Sequence, residues 1–347
     1  MTDRPIAGFR ERLQSGPVVC AEGYLFELER RGYLQAGAFV PEVVLENPDK
    51  VAQLHHEFVD AGSDVVQAFT YYGHREKLRL IGKEHLLEQL NRDALGIARV
   101  VARETGSLLA GDICNTNVFE PGSRAAADQV RAMFVEQVGW AVGQGVDFMI
   151  GETFSFAEEA LIALGVIRES GLPAVITLAV HQAPQTREGW TVAEAGRRLA
   201  DAGADVVGLN CIRGPRTMLP LLEELVPAVD VPVAALPVPY RTHAAEPSFQ
   251  SLRDPERPGS RPFPVALDPF TCTRDDIADF TRAAEDLGVR YFGVCCGAGP
   301  HHIRAMAQAL GRTPPASRYS ADMSKHAFLG TDPSLREHNL AYGNREL

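Results

Sequence analysis

Six times along the chain, a stretch with helical spacing of its apolar residues ends at a glycine, and a short apolar run follows. A glycine in this place can adopt the left-handed conformation that ends a helix. An apolar run of this kind is typical of a strand buried on both faces of a parallel sheet. The six repeats are AGSDVVQAFTY (61–71), TGSLLAGDIC (105–114), QGVDFMIGETF (144–154), SGLPAVITLAV (170–180), AGADVVGLNC (202–211) and LGVRYFGVCC (287–296).

Two further apolar runs, VVCAEG (18–23) and VPVAALPV (231–238), bring the number of predicted strands to eight. Amphipathic spacing predicts the helices between them. They span residues 47–61, 84–104, 126–144, 155–169, 191–202, 216–227, 273–287 and 300–310. Eight buried strands alternating with helices favour an α/β fold of one domain, a (β/α)8 TIM barrel. The alternative is a doubly wound open sheet, which usually has fewer strands.

The predicted barrel extends over residues 10–312, and residues 313–347 form a short, polar C-terminal arm. Composition leaves open whether this arm lies on a neighbouring subunit or is disordered. A Pro- and Arg-rich stretch, 239–264, joins strands seven and eight. It is too long for an ordinary connection, so we expect a functional loop or lid there.

Composition restricts the function. A net charge of −11 argues against nucleic acid or an anionic membrane as a partner. No apolar run approaches the length of a membrane span, and the first residues lack the apolar centre of a secretory signal. We therefore expect a cytoplasmic protein whose six cysteines are reduced, which favours metal binding or catalysis over disulfides.

The C-terminal ends of barrel strands carry the active site, so the residues there are candidates for function. They are Glu22, Thr70, Tyr71, Tyr72, Cys114, Asn115, Glu152, His181, Asn210, Cys211, Pro237, Cys295 and Cys296. Cys295 and Cys296 are adjacent, and along a strand their side chains would point to opposite faces. The glycines of CCGAG indicate that the strand stops here, so that both thiols can turn toward one centre.

Three cysteines, Cys211, Cys295 and Cys296, thus meet at one rim of the predicted barrel. Three thiolates suit a soft or borderline cation, above all Zn²⁺, and a free fourth position would make the site catalytic. The alternative is that buried cysteines pack as small apolar residues. We interpret Cys114 as part of the pocket wall, and Cys20 and Cys272 as structural.

An open site with three thiolates is electron-rich and activates water poorly, but it can bind a substrate thiol as a thiolate. The reaction expected of such a sulfur is the acceptance of an alkyl group from a donor with a neutral leaving group. Hydrolysis would recruit histidines and carboxylates instead.

Several segments resemble the betaine–homocysteine S-methyltransferases, within the wider homocysteine S-methyltransferase family. The resemblance as a whole extends over roughly residues 10–318, and these segments carry it. They are FELERRGYLQAG (26–37), HHEFVDAGSDVVQAFTYYGHREKL (55–78), VDFMIGETF (146–154), AGADVVGLNC (202–211), LGVRYFGVCCGAGPHHIRAMAQAL (287–310) and PPAS (314–317). The resemblance implies a zinc-dependent barrel with Cys211, Cys295 and Cys296 as ligands, and an arm that serves oligomerisation.

The resemblance also implies roles for other residues. Glu152 matches the carboxylate that holds the amino group of homocysteine, and Tyr72 a tyrosine that can occupy the open metal position. Tyr71 and Phe39 match aromatic positions near the methyl donor, where ring faces attract an onium group. The alternative for Glu152 is an ion-paired carboxylate at the rim, but a lone carboxylate at the end of an apolar strand favours a functional role. Without the resemblance, the aromatic residues could equally be part of the core.

The chain departs from the family pattern at two places. Asp-Gly-Gly at the end of strand one is Ala21-Glu22-Gly23 here. Glu22 replaces the aspartate from the next position, so its side chain starts on the other face of the strand. In the donor pocket, Phe39 stands for a tryptophan and Thr153 for a tyrosine. We count Glu22, Gly23, Thr153 and Asn210 among the substrate-binding residues.

These observations predict a zinc-dependent S-methyltransferase that moves a methyl group from a betaine-type ammonium donor to a thiol, homocysteine, giving methionine. Two alternatives remain at this point. The donor can be a sulfonium such as S-methylmethionine, or the barrel can bind zinc and thiols without catalysis.

Overall fold

The structure is a computed structural model, and it describes residues 8–347. Its eight strands close into one parallel barrel in the order β1 to β8, with β8 pairing back onto β1. The strands are β1 (Val18–Ala21), β2 (Val65–Gln67), β3 (Leu108–Cys114), β4 (Phe148–Phe154), β5 (Ala174–Leu178), β6 (Val206–Asn210), β7 (Val233–Leu236) and β8 (Tyr291–Val294). The (β/α)8 prediction is confirmed, and the open sheet is excluded.

Helices alternate with these strands and pack around them, and one further helix, the last, lies in the C-terminal arm. They are α1 (Phe9–Ser15), α2 (Tyr24–Arg30), α3 (Val43–Glu46), α4 (Pro48–Ala61), α5 (Arg75–Leu80), α6 (Leu87–Thr105), α7 (Arg124–Gln144), α8 (Ala157–Glu169), α9 (Val192–Asp201), α10 (Pro215–Leu225), α11 (Arg274–Leu287), α12 (Pro300–Ala309) and α13 (Glu337–Glu346). Short 3-10 turns occur at Glu84–Leu86, Val226–Ala228, Asp268–Phe270, Pro315–Tyr319 and Met323–Lys325.

The glycines of the six repeats take the backbone conformation that the sequence predicts. Each has a positive φ, between 68° and 115°, at the turn that ends its helix or directly follows it. They are Gly62, Gly106, Gly145, Gly171, Gly203 and Gly288. Because an L-residue with a Cβ is strained in this conformation, these positions set where each helix stops and the next strand begins.

Alternation along the strands separates the barrel interior from the helix-packed outer face. On β1, Val18 and Cys20 belong to the inner cluster, whereas Val19 and Ala21 pack outward with the helices. The short helix α1 closes the N-terminal end, where the ring of Phe9 stacks on that of Phe148 at 4.0 Å between centroids. The C-terminal end of the barrel is not closed by such a helix, and the loops with the candidate site residues lie there.

Two segments lie outside the repeating pattern. The stretch 239–264 follows β7 and packs over the C-terminal end of the barrel, with Phe249 and Leu252 buried. Residues 313–347 contain short helical turns and α13, and several large apolar side chains there are exposed, among them Tyr319 and Met323. The domain boundary at 312 stays a prediction. Within residues 8–347, none of the helices combines the length and the apolar character that crossing a bilayer requires.

Candidate active site

Three thiols converge at the open end of the barrel. Cys211 follows β6, and Cys295 with Cys296 follows β8. The three Sγ atoms lie within 4.8 Å of one another, and those of Cys295 and Cys296 are 3.9 Å apart. All three side chains are buried.

Adjacent cysteines can share one centre here because β8 ends at Val294, before either of them. Gly297 then turns the chain with φ +95°, and a Cβ at this position would overlap the Tyr240 ring. Cys211 itself has φ +55°, which turns the chain sharply at the end of β6. The pleat no longer dictates side-chain direction, as the sequence predicted.

The donor set fits a tetrahedral metal ion with one free position. With metal–sulfur bonds of about 2.3 Å, tetrahedral geometry places neighbouring sulfurs roughly 3.8 Å apart, close to the spacing of Cys295 and Cys296. In the protein alone, hydrogen bonds from Cys295 and Cys296 lower the pKa of Cys211. Burial raises the pKa of Cys295, and its contact with Cys211 raises that of Cys296. The contacts among the three thiols thus shift the pKa of Cys211 in the opposite direction to those of Cys295 and Cys296.

Glu152 lies on β4 beside the thiols, and amide and hydroxyl groups donate hydrogen bonds to its carboxylate. Its carboxylate accepts hydrogen bonds from Gln67 Nε2 at 2.8 Å and Asn210 Nδ2 at 2.7 Å. Thr153 Oγ1 donates a third at 2.9 Å. Burial raises the pKa of Glu152 to about 7, against the effect of these donors.

Glu22 reaches the same site from β1. Val18 and Cys20 point into the barrel, and Glu22 follows them in the same alternation. Its side chain therefore lies on the opposite face from Ala21, as expected, and its carboxylate points into the barrel. Carboxylate oxygens of Glu22 and Glu152 and the sulfur of Cys295 lie within 4.8 Å of one another. Glu22 Oε1 has no hydrogen-bond partner among the described residues. Burial and the charge of Glu152 raise the pKa of Glu22 well above its usual range.

Asp112, a residue that the sequence interpretation missed, places a third carboxyl group nearby. It lies on β3, almost wholly buried, and neither of its oxygens has a donor among the described residues. Burial, followed by the charge of Glu152, raises its pKa well above the usual range. The sequence did contain a signal for Asp112. It follows Leu108 and Ala110 at every second position of an apolar strand, and both of these residues point into the barrel.

A cavity of about 250 Å³ opens directly above the thiols. Its walls are mainly aromatic and polar, and the long loop after β7 supplies part of them. The lining residues are Leu25, Phe26, Phe39, Tyr71, Tyr72, Asn115, Asn117, Thr153, Ser155, His181, Arg187, Cys211, Ile212, Phe249, Gln250, Phe263 and Cys296. Phe249 and Phe263 pack against Phe26, which stacks on Phe39 at 5.6 Å. The loop is thus part of the pocket.

Backbone strain is concentrated around this cavity. Among the described residues, six other than glycine have a positive φ, between 54° and 64°, and all six line it. They are Phe39, Tyr72, Asn117, Thr153, Cys211 and Ile212. Such conformations are costly and persist where the surrounding structure enforces them, which is characteristic of functional sites.

Tyr71 and Tyr72 both line the cavity, with ring centroids 4.3 Å apart. The backbone N–H of Tyr72 donates to Cys114 Sγ at 3.3 Å. Our interpretation of Cys114 as pocket wall is therefore wrong: its thiol supports the Tyr72 turn and does not line the cavity. The reason is that Cys114 is the last residue of β3 and its side chain lies beneath that turn.

Two further candidate site residues, Gly23 and His181, have roles in packing and hydrogen bonding. A Cβ at Gly23 would overlap the Ala298 carbonyl oxygen, so this glycine permits the close approach of the first turn to the last. His181 lies in the cavity wall, its Nε2 2.9 Å from Ser155 Oγ. His302 caps α12, because its Nδ1 accepts a hydrogen bond from the Gly299 N–H.

Gln67 and Arg187 were not identified as site residues from the sequence. For Arg187 the sequence carries no signal, since it lies in an irregular loop.

The chain matches the family model described as homocysteine S-methyltransferase over residues 20–310. It is 38% identical to betaine–homocysteine S-methyltransferase 1 of Xenopus tropicalis, covering 95% of this chain and 83% of that protein. It is 36% identical to the S-methylmethionine–homocysteine S-methyltransferase of Pongo abelii, covering 95% and 89%. The crystal structure of the metallated homocysteine methyltransferase from Escherichia coli shares the fold, with a TM-score of 0.67 at 17% identity over 85% of this chain and 97% of that one. With its three thiols gathered at the open end of the barrel, the chain belongs to the homocysteine S-methyltransferase family.

Proposed function

We propose that this protein is a zinc-dependent S-methyltransferase that transfers a methyl group from an onium donor to the thiol of homocysteine, giving methionine. The observation that carries the proposal is the convergence of Cys211, Cys295 and Cys296 beneath an aromatic cavity. Family membership supports the activity. The names of the relatives supply both betaine and S-methylmethionine as donors, so a sulfonium is the second candidate.

The three cysteines would hold Zn²⁺, which when bound supplies a site where the acceptor thiol loses its proton at neutral pH. Glu152 presents two ordered carboxylate oxygens to the acceptor's ammonium group, and Asn210 keeps that carboxylate beside the thiols. Glu22 adds a second carboxylate within the same volume. The residues thereby fix the acceptor with its sulfur below the cavity.

The donor's onium group would lie in the cavity above, against the faces of Tyr71, Phe39 and Phe263. Ring faces carry negative potential and stabilise a cation without hydrogen bonds. The acceptor sulfur attacks the methyl carbon in line, a carbon–sulfur bond forms, and the carbon–nitrogen or carbon–sulfur bond to the donor breaks. The leaving amine or sulfide keeps that electron pair and is neutral, so no general acid is required. Catalysis then consists mainly of positioning and exclusion of water.

The test is methionine formation from homocysteine with glycine betaine, other betaines and S-methylmethionine, together with measurement of bound zinc. We expect Cys211→Ala to lose both zinc and turnover. The matched control is Cys272→Ala, because Cys272 is also buried but lines a separate cavity between α10 and α11. Stoichiometric zinc without methyl transfer from any donor would refute the activity and favour a non-catalytic zinc or thiol-binding barrel.

We also propose that the protein is a homo-oligomer. Several large apolar side chains of the arm are exposed, including Tyr319, Met323, Leu329 and Tyr342. Apolar groups in such number on a terminal segment favour burial against another subunit. Light scattering after chromatography tests this: a monomer at micromolar concentration would contradict it.

A further inference from the structure

The cavity above the thiols contains one permanent charge, and it is positive. Of the residues that line it within the described chain, Arg187 is the only lysine, arginine, aspartate or glutamate. His181 is the other titratable base, and burial lowers its pKa, so it is neutral at neutral pH. The carboxyl groups of Glu22, Asp112 and Glu152 do not line this cavity. Acidic and basic groups are therefore separated within the site.

Hydrogen bonds hold the backbone at Arg187 in place, whereas its guanidinium is free to bind a ligand. Its backbone N–H donates to the Ser155 carbonyl at 2.8 Å, directly after β4. The Thr186 N–H donates to the Trp190 carbonyl at 2.9 Å, which closes the surrounding turn. The guanidinium lies over the Phe156 ring, 4.5 Å from its centroid, and is not ion-paired to a described carboxylate. It is exposed at the rim of the cavity.

A lone guanidinium at the rim disfavours a donor that carries only a positive charge. A donor with both an onium group and a carboxylate resolves this conflict. Its onium group can lie among the aromatic rings, and its carboxylate can accept paired hydrogen bonds from the guanidinium. Arginine suits this task because its planar fork matches a carboxylate.

We propose that Arg187 binds the carboxylate of the methyl donor and restricts the enzyme to zwitterionic donors. This inference rests on the proposed function and adds to it the donor class and the residue that selects it. Arg187 is a specificity-determining residue that does not take part in the transfer step.

The test compares donors that differ only in this charge. Glycine betaine and glycine betaine amide share the trimethylammonium group, but the amide lacks the anion; S-methylmethionine and its amide form a second pair. Binding of each is measured by titration calorimetry to the zinc-loaded protein with homocysteine present, alongside kcat and KM wherever turnover occurs. We expect Arg187→Gln to weaken binding of the carboxylate donors by roughly tenfold to a hundredfold and to leave the amides nearly unchanged.

Controls separate this role from a structural one. Arg197→Gln removes the same charge from the exposed face of α9 and should leave donor binding unchanged. Arg187→Lys keeps the charge without the fork and should lie between the wild type and Arg187→Gln. In Arg187→Gln and Arg187→Lys, the zinc content and the affinity for homocysteine should equal those of the wild type, so that the effect is confined to the donor. The donor KM should rise with ionic strength in the wild type more than in Arg187→Gln.

Three results overturn the inference. One is equal weakening of carboxylate and amide donors in Arg187→Gln, which would indicate only the loss of stacking on Phe156. The second is an unchanged preference for the carboxylate in Arg187→Gln. The third is that neither carboxylate donor binds to the wild type. Failure of methyl transfer in every assay, with selective carboxylate binding intact, would instead overturn the proposed function alone.

Discussion

The side-chain amide of Asn210 donates a hydrogen bond to the carboxylate of Glu152 at 2.7 Å, from the residue that directly precedes Cys211. Its carbonyl oxygen accepts the backbone N–H of Thr153 at 2.9 Å. One side chain thereby joins β6, which carries the first thiol, to the end of β4, which carries the carboxylate. The position of the proposed ammonium site is coupled to that of the thiols through this amide.

Replacing Asn210 with alanine should therefore affect acceptor binding more than metal binding. We expect the KM for homocysteine to rise roughly tenfold, since Glu152 loses one of its donors and Thr153 loses its backbone partner. Zinc content should stay near that of the wild type, and the donor KM should change little. Steady-state kinetics with metal analysis checks this; loss of zinc would show that Asn210 supports the thiols instead.

The affinity for the product methionine should depend on pH through Glu152. Burial raises the pKa of Glu152 to about 7, so its carboxylate is ionised above this pH and protonated below it. Methionine has no thiol to lose a proton, and its ammonium stays charged over this range. We expect its dissociation constant to rise about tenfold per pH unit below 7. Calorimetry between pH 5.5 and 8.5 measures this, and Glu152→Gln should bind weakly with a flat profile.

Asp112→Asn should stabilise the metal-free protein, and more so at high pH. A folded-state pKa well above the unfolded value means that the folded chain holds a proton that the unfolded chain releases. Stability is then lost as pH rises above the ordinary carboxyl range. An amide of the same shape removes this dependence, with a gain of about 1–3 kcal/mol near pH 8 and little near pH 4.

Thermal unfolding of the Asp112→Asn variant and the wild type at both pH values measures the difference. Asp93→Asn, an exposed change on α6, is the control and should have no pH-dependent effect. A destabilising effect of Asp112→Asn at pH 8 would mean that Asp112 is ionised and held by a partner.

Phe263→Leu should weaken donor binding selectively. Phe263 lines the cavity and packs edge-to-face on Phe249 at 5.1 Å, so leucine keeps apolar volume but removes a ring face. A lost cation–π contact corresponds to a rise of roughly three- to thirtyfold in the donor KM. The homocysteine KM should not change. Phe270→Leu, which lies outside the cavity, serves as the matched control; a similar loss there would indicate a general effect on packing and not a lost contact with the donor.

Much of the fold could be predicted from the sequence because its determinants are local. Helical spacing, a glycine with positive φ and a short apolar run follow one another directly in the chain, so each repeat is complete in itself. The three cysteines could also be found, since the ends of parallel strands meet at one rim whatever the details of packing. Even the shared orientation of Cys295 and Cys296 has a local cause, the end of β8 before them.

The polar network behind the thiols required the structure. Gln67, Asp112 and Glu152 come from three strands, and which atoms contact depends on register and on the inward row of each strand. Strand alternation in the sequence could predict that Asp112 points into the barrel, but not that it lacks a hydrogen-bond donor. Arg187, Phe249 and Phe263 come from irregular segments, where no periodicity fixes the path of the chain.

The amino-acid sequence by itself thus determined the barrel, its strand ends and the three sulfur ligands expected there, because nearest-neighbour conformational preferences and strand alternation specify them. Only the tertiary structure decided which carboxylates are buried without hydrogen-bond donors, which loop lines the cavity and that the guanidinium of Arg187 lies at the rim of the cavity. Those features arise from contacts between residues far apart in the chain, and such contacts depend on how the whole barrel packs.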